Sequence, residues 1–208
     1  HPAKTFERLY NEMVESGGDV FDVYEDDEKV DALELGIQMM KNYVARWGKD
    51  DHIEVISSEL HFQVDVYDKF GRYMFTYVGS FDLAYKDLEK NQFGLIETKT
   101  AASISTRFLA MEEQAGSYWV FAPLVLQHLG KIPMGTDIDF ILYNFLRKAT
   151  ADTRPQDELG RYLNKPTKAE LKEFGDDFKG SPSKRQPPPL FVRQRVYRDE
   201  VDRENLLH

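Results

Sequence analysis

Two short stretches of this chain carry residues that could do chemistry together. The first is Val78-Gly79-Ser80-Phe81-Asp82-Leu83-Ala84 and the second is Gly94-Leu95-Ile96-Glu97-Thr98-Lys99-Thr100, with fourteen residues between Asp82 and Glu97. Both read as β-strands. Side chains alternate between the faces of a strand, so Glu97 and Lys99 project together while Ile96 and Thr98 point the other way. If the polar residues 86–92 form the turn of a hairpin, Asp82 comes beside Glu97 on the neighbouring antiparallel strand. Two carboxylates and an ammonium then meet near the end of a sheet. Oxygen ligands of this kind suit Mg²⁺ or Mn²⁺, one or two ions, which take one or two carboxylates and keep waters to contact phosphate. Such an ion lowers the pKa of a bound water, and a nearby lysine can orient that water and offset developing negative charge. Alone, a Glu-x-Lys on a strand is usually a solvated edge. Here Leu95-Ile96 precede Glu97 and mark a central strand, where charges are costly unless satisfied or used.

The elements that must position these residues follow from periodicity. Residues 4–16 carry apolar side chains at helical spacing and stop at Gly17-Gly18; residues 28–47 repeat the pattern with Val30, Leu33, Ile37, Met40, Val44 and Trp47 and end before Gly48. The acidic run Glu25-Asp26-Asp27-Glu28 falls at the start of that second helix, where the dipole favours carboxylates. From residue 53 to 67 the pattern changes to strand-like alternation, Asp68-Lys69-Phe70-Gly71 reads as a turn, and 73–85 is the returning strand. A third strand is expected over 93–100, a long helix over 105–129 and a further strand over 136–147. The expected architecture is α+β: a central mixed sheet with antiparallel hairpin strands, flanked by helices. Residues 1–150 would form the core. Residues 151–208, which contain Lys184-Arg185-Gln186-Pro187-Pro188-Pro189, would be a basic, Pro-containing extension packing on the core or on a ligand.

Composition bounds the function. The chain has 208 residues and no cysteine, which excludes disulfides and cysteine-ligated zinc or iron–sulfur clusters. The sequence contains no apolar run of membrane-spanning length and no visible signal peptide, so a soluble cytoplasmic protein (host cytoplasm if viral), with no membrane partner, is expected. The net charge is −9, unevenly spread: residues 1–70 hold 7 Lys+Arg against 17 Asp+Glu, and residues 161–198 hold 10 against 4. An acidic first third and a basic late stretch can coexist with a local phosphate-binding surface, because screening confines each field to about 8–10 Å.

Taken together, Glu59, Gly79-Ser80-Phe81-Asp82, Ile96-Glu97-Thr98-Lys99-Thr100 and Gln114-Ala115-Gly116-Ser117-Tyr118 resemble the PD-(D/E)XK nucleases of the RecB type, which include phage exonucleases. The G-x-x-D, (D/E)-x-K-T and Q-x-x-x-Y signatures of that family occur in its order, over about residues 30–147. The resemblance implies a restriction-endonuclease-like core and a metal-dependent hydrolysis of DNA phosphodiesters, with a role in DNA recombination or repair. It implies that Asp82 and Glu97 hold the metal with the main-chain carbonyl of Thr98, that Lys99 positions the attacking water, and that Glu59 completes the site directly or through water. Glu54 or Asp65 would replace Glu59 if the strand register slips. Gln114 and Tyr118, four apart on one helix face, would line the site and contact the DNA backbone. The family's metal-binding histidine on an N-terminal helix has no counterpart over 28–47. It lies upstream of His1, or the site manages without it, with His61 as a substitute.

The late basic stretch suggests a DNA clamp. Arg193, Arg195 and Arg198, with Lys184 and Arg185, would contact phosphates, and Phe191 and Tyr197 would stack on bases. A tail that simply packs over the core is the competing reading. Three functions remain open at this point: an exonuclease, a structure- or sequence-specific endonuclease on the same core, and an inactive module that binds DNA or a recombination or helicase partner.

Overall fold

The computed structural model describes residues 2–19, 23–25, 28–109 and 113–198, with the side chains of 23–25, 28 and 113–115 left aside. Its described residues form two compact units, one within residues 3–42 and 149–190, the other within 43–148 and 191–198.

The first unit holds helix α1 (Pro2–Glu15), a two-stranded hairpin of β1 (Val23–Glu25) and β2 (Glu28–Val30), most of helix α2 (Ala32–Trp47) and, late in the chain, helix α4 (Lys168–Phe174). Gly36 of α2 lies against Phe6 of α1: a Cβ there would fall 2.1 Å from the ring, so only glycine lets the two helices approach this closely. The second helix starts later than periodicity predicts, at 32 and not 28. Asp31 is the reason: its side chain accepts a hydrogen bond from the Glu34 amide at 2.9 Å and caps the helix, while residues 28–30 are spent on the hairpin. Glu28 of the acidic run therefore lies in a strand; Asp26 and Asp27 are outside the described residues. Helix α4 begins at a reciprocal cap, Thr167 Oγ1 accepting from the Glu170 amide and Glu170 Oε2 from the Thr167 amide.

The second unit is built on a five-stranded mixed sheet in the order β3 (Ile53–Tyr67), β4 (Tyr73–Asp87), β5 (Gln92–Ala101), β6 (Phe140–Arg147), β7 (Phe191–Val196). All neighbours are antiparallel except β5 and β6, which helix α3 (Glu113–His128) joins as a parallel pair. With four helices and a mixed sheet among the described residues, the chain is α+β. Trp119, Ala122 and Leu126 of α3 are fully buried and share a core with Phe81, Tyr85, Leu95, Phe140 and Tyr143. Strand β6 is buried on both faces through Leu146, as its unbroken run Phe-Ile-Leu-Tyr-Asn-Phe-Leu requires. Gly94 faces Phe140 across the β5–β6 pair, where a Cβ would come within 2.6 Å of the ring.

Three expectations need correction. The α3 helix is described from 113, not 105, with residues 107–109 in a turn. Strand β6 starts at Phe140 and not 136, because Pro133 and Gly135 make a turn closed by the Thr136 amide on the Pro133 carbonyl. Most consequential, the chain after 150 is not one extension: residues 191–196 return to the second unit as strand β7, pairing with β6 from Ile141↔Val196 to Leu146↔Phe191.

Candidate functional site

Strands β4 and β5 run paired from Asp87↔Gln92 to Leu83↔Ile96 and then separate. Asp82 is the first residue beyond the last pair, and continuing the register sets it across from Glu97. On its other side, the pairs Ser58↔Leu83 and Leu60↔Phe81 set Glu59 across from Asp82. Glu59 and Asp82 thus lie side by side on β3 and β4, and Glu97 is the first residue of β5 beyond its last pair with β4. Glu59 has a φ of +49°, a left-handed conformation rare for a residue with a side chain, so β3 kinks at that residue. The glycine of Gly79-Ser80-Phe81-Asp82 has a local explanation: Phe62 lies across it, and a Cβ at 79 would meet that ring at 2.5 Å.

The fork is held by hydrogen bonds. The Thr98 amide donates to Asp82 Oδ2 at 2.7 Å, so the carboxylate rests against the β5 backbone one residue from Glu97. Glu97 is buried, and the Lys99 ammonium lies 3.0 Å from its Oε1. Tyr118 is buried edge-on against Phe81, with ring centroids 5.1 Å apart, and its hydroxyl donates to the Ser80 carbonyl at 2.8 Å. That contact ties α3 to β4 two residues before Asp82. The side chain of Gln114 lies outside the described residues.

A cavity of about 620 Å³ opens beside the fork, lined among others by Glu59, Asp82, Thr98, Lys49, Asn144 and Arg193. Glu97 and Lys99 do not line it. Of the alternatives to Glu59, Glu54 is exposed and Asp65 accepts a hydrogen bond from Thr76 Oγ1 at 2.6 Å; neither lines the cavity. His61 is exposed on β3.

For a divalent ion the donor chemistry fits in part. Asp82, Glu97 and the Thr98 carbonyl are hard oxygen donors grouped on two adjacent strands, and Lys99 is held beside one of them. Among the described residues no three of His, Asp or Glu converge closely enough to hold a metal, so Glu59 does not join Asp82 and Glu97 in a three-acid cage.

The arginines expected to clamp DNA are engaged inside the protein. Arg193 Nη1 and Nη2 each donate to an Asp50 carboxylate oxygen at 2.7 Å, Nη2 also meets the Tyr43 hydroxyl at 2.6 Å, and Nε meets Asn144 Oδ1 at 3.3 Å. Its guanidinium lies 4.3 Å from the Trp47 ring centroid. Burial opposes the charge, but the Asp50 and Tyr43 hydrogen bonds outweigh it and hold Arg193 protonated more firmly than usual. Arg195 stacks 4.2 Å over Phe140 and donates to Asp87 at 2.5 Å. Burial pushes the Asp87 carboxyl up, but hydrogen bonds from Arg195 and the Lys90 amide bring it below the usual carboxylate range. Arg198 follows the strand, half-buried; Tyr197 is exposed; Lys184 and Arg185 are exposed in the first unit.

Sequence reasoning missed Asn144, Tyr43, Lys49 and Asp50. Asn144 is buried and accepts from both Tyr43 and Arg193, and its Nδ2 lies 3.5 Å from Thr98 Oγ1, so these residues brace the far side of the fork. One signal was available: a lone Asn in the apolar run of 140–146 needs a polar partner. No protein-family model and no curated protein matches the chain.

Proposed function

We propose that the chain is a divalent-metal-dependent DNA nuclease that hydrolyses phosphodiester bonds at the fork between β4 and β5. The exonuclease preference rests on the resemblance to RecB-type and phage enzymes. The observation that supports the reading is the placement of the Asp82 carboxylate on the Thr98 amide, one residue from a buried Glu97 whose carboxylate is paired with Lys99 at 3.0 Å. A buried acid and a lysine held together, beside a second acid on the adjoining strand, is a costly arrangement for structure alone.

In this reading Asp82, Glu97 and the Thr98 carbonyl would hold Mg²⁺ or Mn²⁺, which supplies charge neutralisation and an acidified water. Lys99 orients the attacking water and stabilises negative charge developing on the phosphate. Asp82 must turn from its amide partner or share one oxygen with it. Glu59 acts from the cavity side through water. Tyr118 fixes the helix against the strand that carries Asp82. DNA is the proposed partner, and no described helix is long and apolar enough to cross a membrane.

The test is incubation of the purified protein with linear and with circular DNA, with Mg²⁺ or with chelator. Metal-dependent loss of linear DNA only is the expected result. Nicking of circles would assign an endonuclease on the same residues. No metal-dependent loss of either substrate would overturn the enzyme assignment and leave a binding module.

A further inference from the structure

Strands β3 and β4 continue well past the rest of the sheet. Beyond Leu83, among the described residues, no strand other than β3 pairs with β4, so residues 60–81 form a two-stranded arm. Such an arm is marginal unless propped, and α3 props its base: Tyr77 stacks on Phe121 with centroids 4.3 Å apart at 19°. The tip is rigid. Asp68 Oδ1 accepts from the amides of Phe70 and Arg72 at 2.8 and 2.9 Å, its Oδ2 takes Arg72 Nε at 2.7 Å, and Gly71 supplies the positive φ of the turn.

This arm presents large apolar side chains to solvent: Phe70 is 72% exposed, Tyr67 55% and Phe75 48%, with Tyr73 and Met74 exposed as well. Between the arm and α3 runs a groove of about 930 Å³, walled by Tyr67, Phe70, Phe75 and Phe121 and floored by Gly116 and Ser117. Its charge departs from that of the chain. Asp68 is the one acid in the lining and is already occupied by the turn, whereas Lys69 and Arg72 sit 5.3 and 5.4 Å from the Phe70 centroid. Lys69 forms no ion pair with a described residue. The lining is thus net positive in a chain of net charge −9. Stacking rings beside Lys69 and beside Arg72, which stays exposed while pairing with Asp68, match the bases and phosphates of an unpaired strand. A duplex would bury its bases away from those rings.

We propose that this groove binds single-stranded nucleic acid, with Tyr67, Phe70 and Phe75 as stacking platforms and Lys69 and Arg72 as phosphate contacts. The groove and the fork share strand β4 and helix α3. Ser117 in its floor precedes Tyr118, whose hydroxyl is bonded to Ser80, and strand β4 runs from Tyr77 in the groove to Asp82 at the fork. The role of the groove as the track that feeds the fork rests on the nuclease reading, but its affinity for a single strand does not.

The experiment is fluorescence anisotropy in chelator, which blocks metal-dependent cleavage, with a labelled oligothymidine and a duplex of equal length. The intact protein is expected to favour the single strand. Phe70→Ala and Tyr67→Ala should each weaken it about tenfold, and Lys69→Gln should lower the salt slope by about one. Met134→Ala, which removes an exposed side chain that does not line the groove, should leave affinity unchanged. All these side chains are exposed, so melting curves should match the intact protein. Equal affinity for both probes, or ring variants that bind like the intact protein, would overturn the groove assignment; cleavage assays on the same preparation judge the nuclease reading separately. If instead Phe70→Ala dissolves a self-associated form seen in sedimentation without changing oligonucleotide affinity, the surface is a protein interface and the proposal falls.

Discussion

At the β6–β7 side of the sheet, Arg193 and Arg195 each have a carboxylate partner and an aromatic ring inside the protein. At the far end of β3 and β4, Lys69, Arg72 and Phe70 combine the same residue types in solvent. Both regions would count equally as basic and aromatic in a composition survey. Their difference lies in what surrounds the cation. In β7 it meets Asp50 or Asp87 and is consumed as structure; at the arm's tip Asp68 closes the turn and pairs with an Arg72 that stays exposed, while Lys69 and the rings remain uncovered. A cluster of arginines is therefore poor evidence of a phosphate surface until its internal partners are known.

The proposed catalytic fork lies between these regions, and breaking it should have the largest effect. Lys99→Ala or Asp82→Asn is expected to lower metal-dependent DNA cleavage by about 10²–10³-fold with the circular dichroism spectrum unchanged; retained activity in either folded variant would remove the fork from the mechanism. Next comes the structural claim for β7. Arg193→Ala leaves Asp50 without its cation and should cost about 3 kcal/mol of unfolding free energy, read by denaturant titration. If it left stability intact and flattened the salt dependence of DNA binding, the arginine would be a clamp after all.

The Asp87–Arg195 pair gives a pH signature. Because the folded carboxyl is held below its unfolded value, its stabilisation is present at pH values above the ordinary carboxylate range and is lost as pH falls through the folded value. Asp87→Asn should thus cost about 1–2 kcal/mol near neutrality, with the gap to the intact protein closing in acid; a gap that widened there would reverse the assignment. At the other end of the comparison, Phe70→Ala should change stability by less than about 0.5 kcal/mol. The smallest effect is expected of Glu59→Gly: glycine accepts the positive φ, so the fold should hold or gain slightly, and any loss of cleavage reports the carboxylate alone.

Much of the site was legible along the chain. The alternation of Ile96, Glu97, Thr98 and Lys99 and the turn at Asp68–Gly71 are local consequences of pleat and turn chemistry, and the hairpin of β3 and β4 follows from that turn. The start of α2 was misjudged because Val30 falls at helical spacing from Leu33 and Ile37, and only the Asp31 cap marks where the helix begins. The fate of the arginines was not legible: alternation puts Arg193 and Arg195 on one face of a strand but does not say what that face meets.

Sequence by itself determined which side chains share a strand face, where the hairpin turns, and that cysteine chemistry is absent, since each depends on residue type and near neighbours. Tertiary structure decided that residues 191–196 close the sheet, that β5 and β6 run parallel, and that Asp82 rests on the Thr98 amide. It also brought Arg193 to Asp50, a contact spanning 143 positions of chain. Such contacts depend on which distant segments buried apolar surface draws together, and no local pattern encodes the charge that will be waiting there.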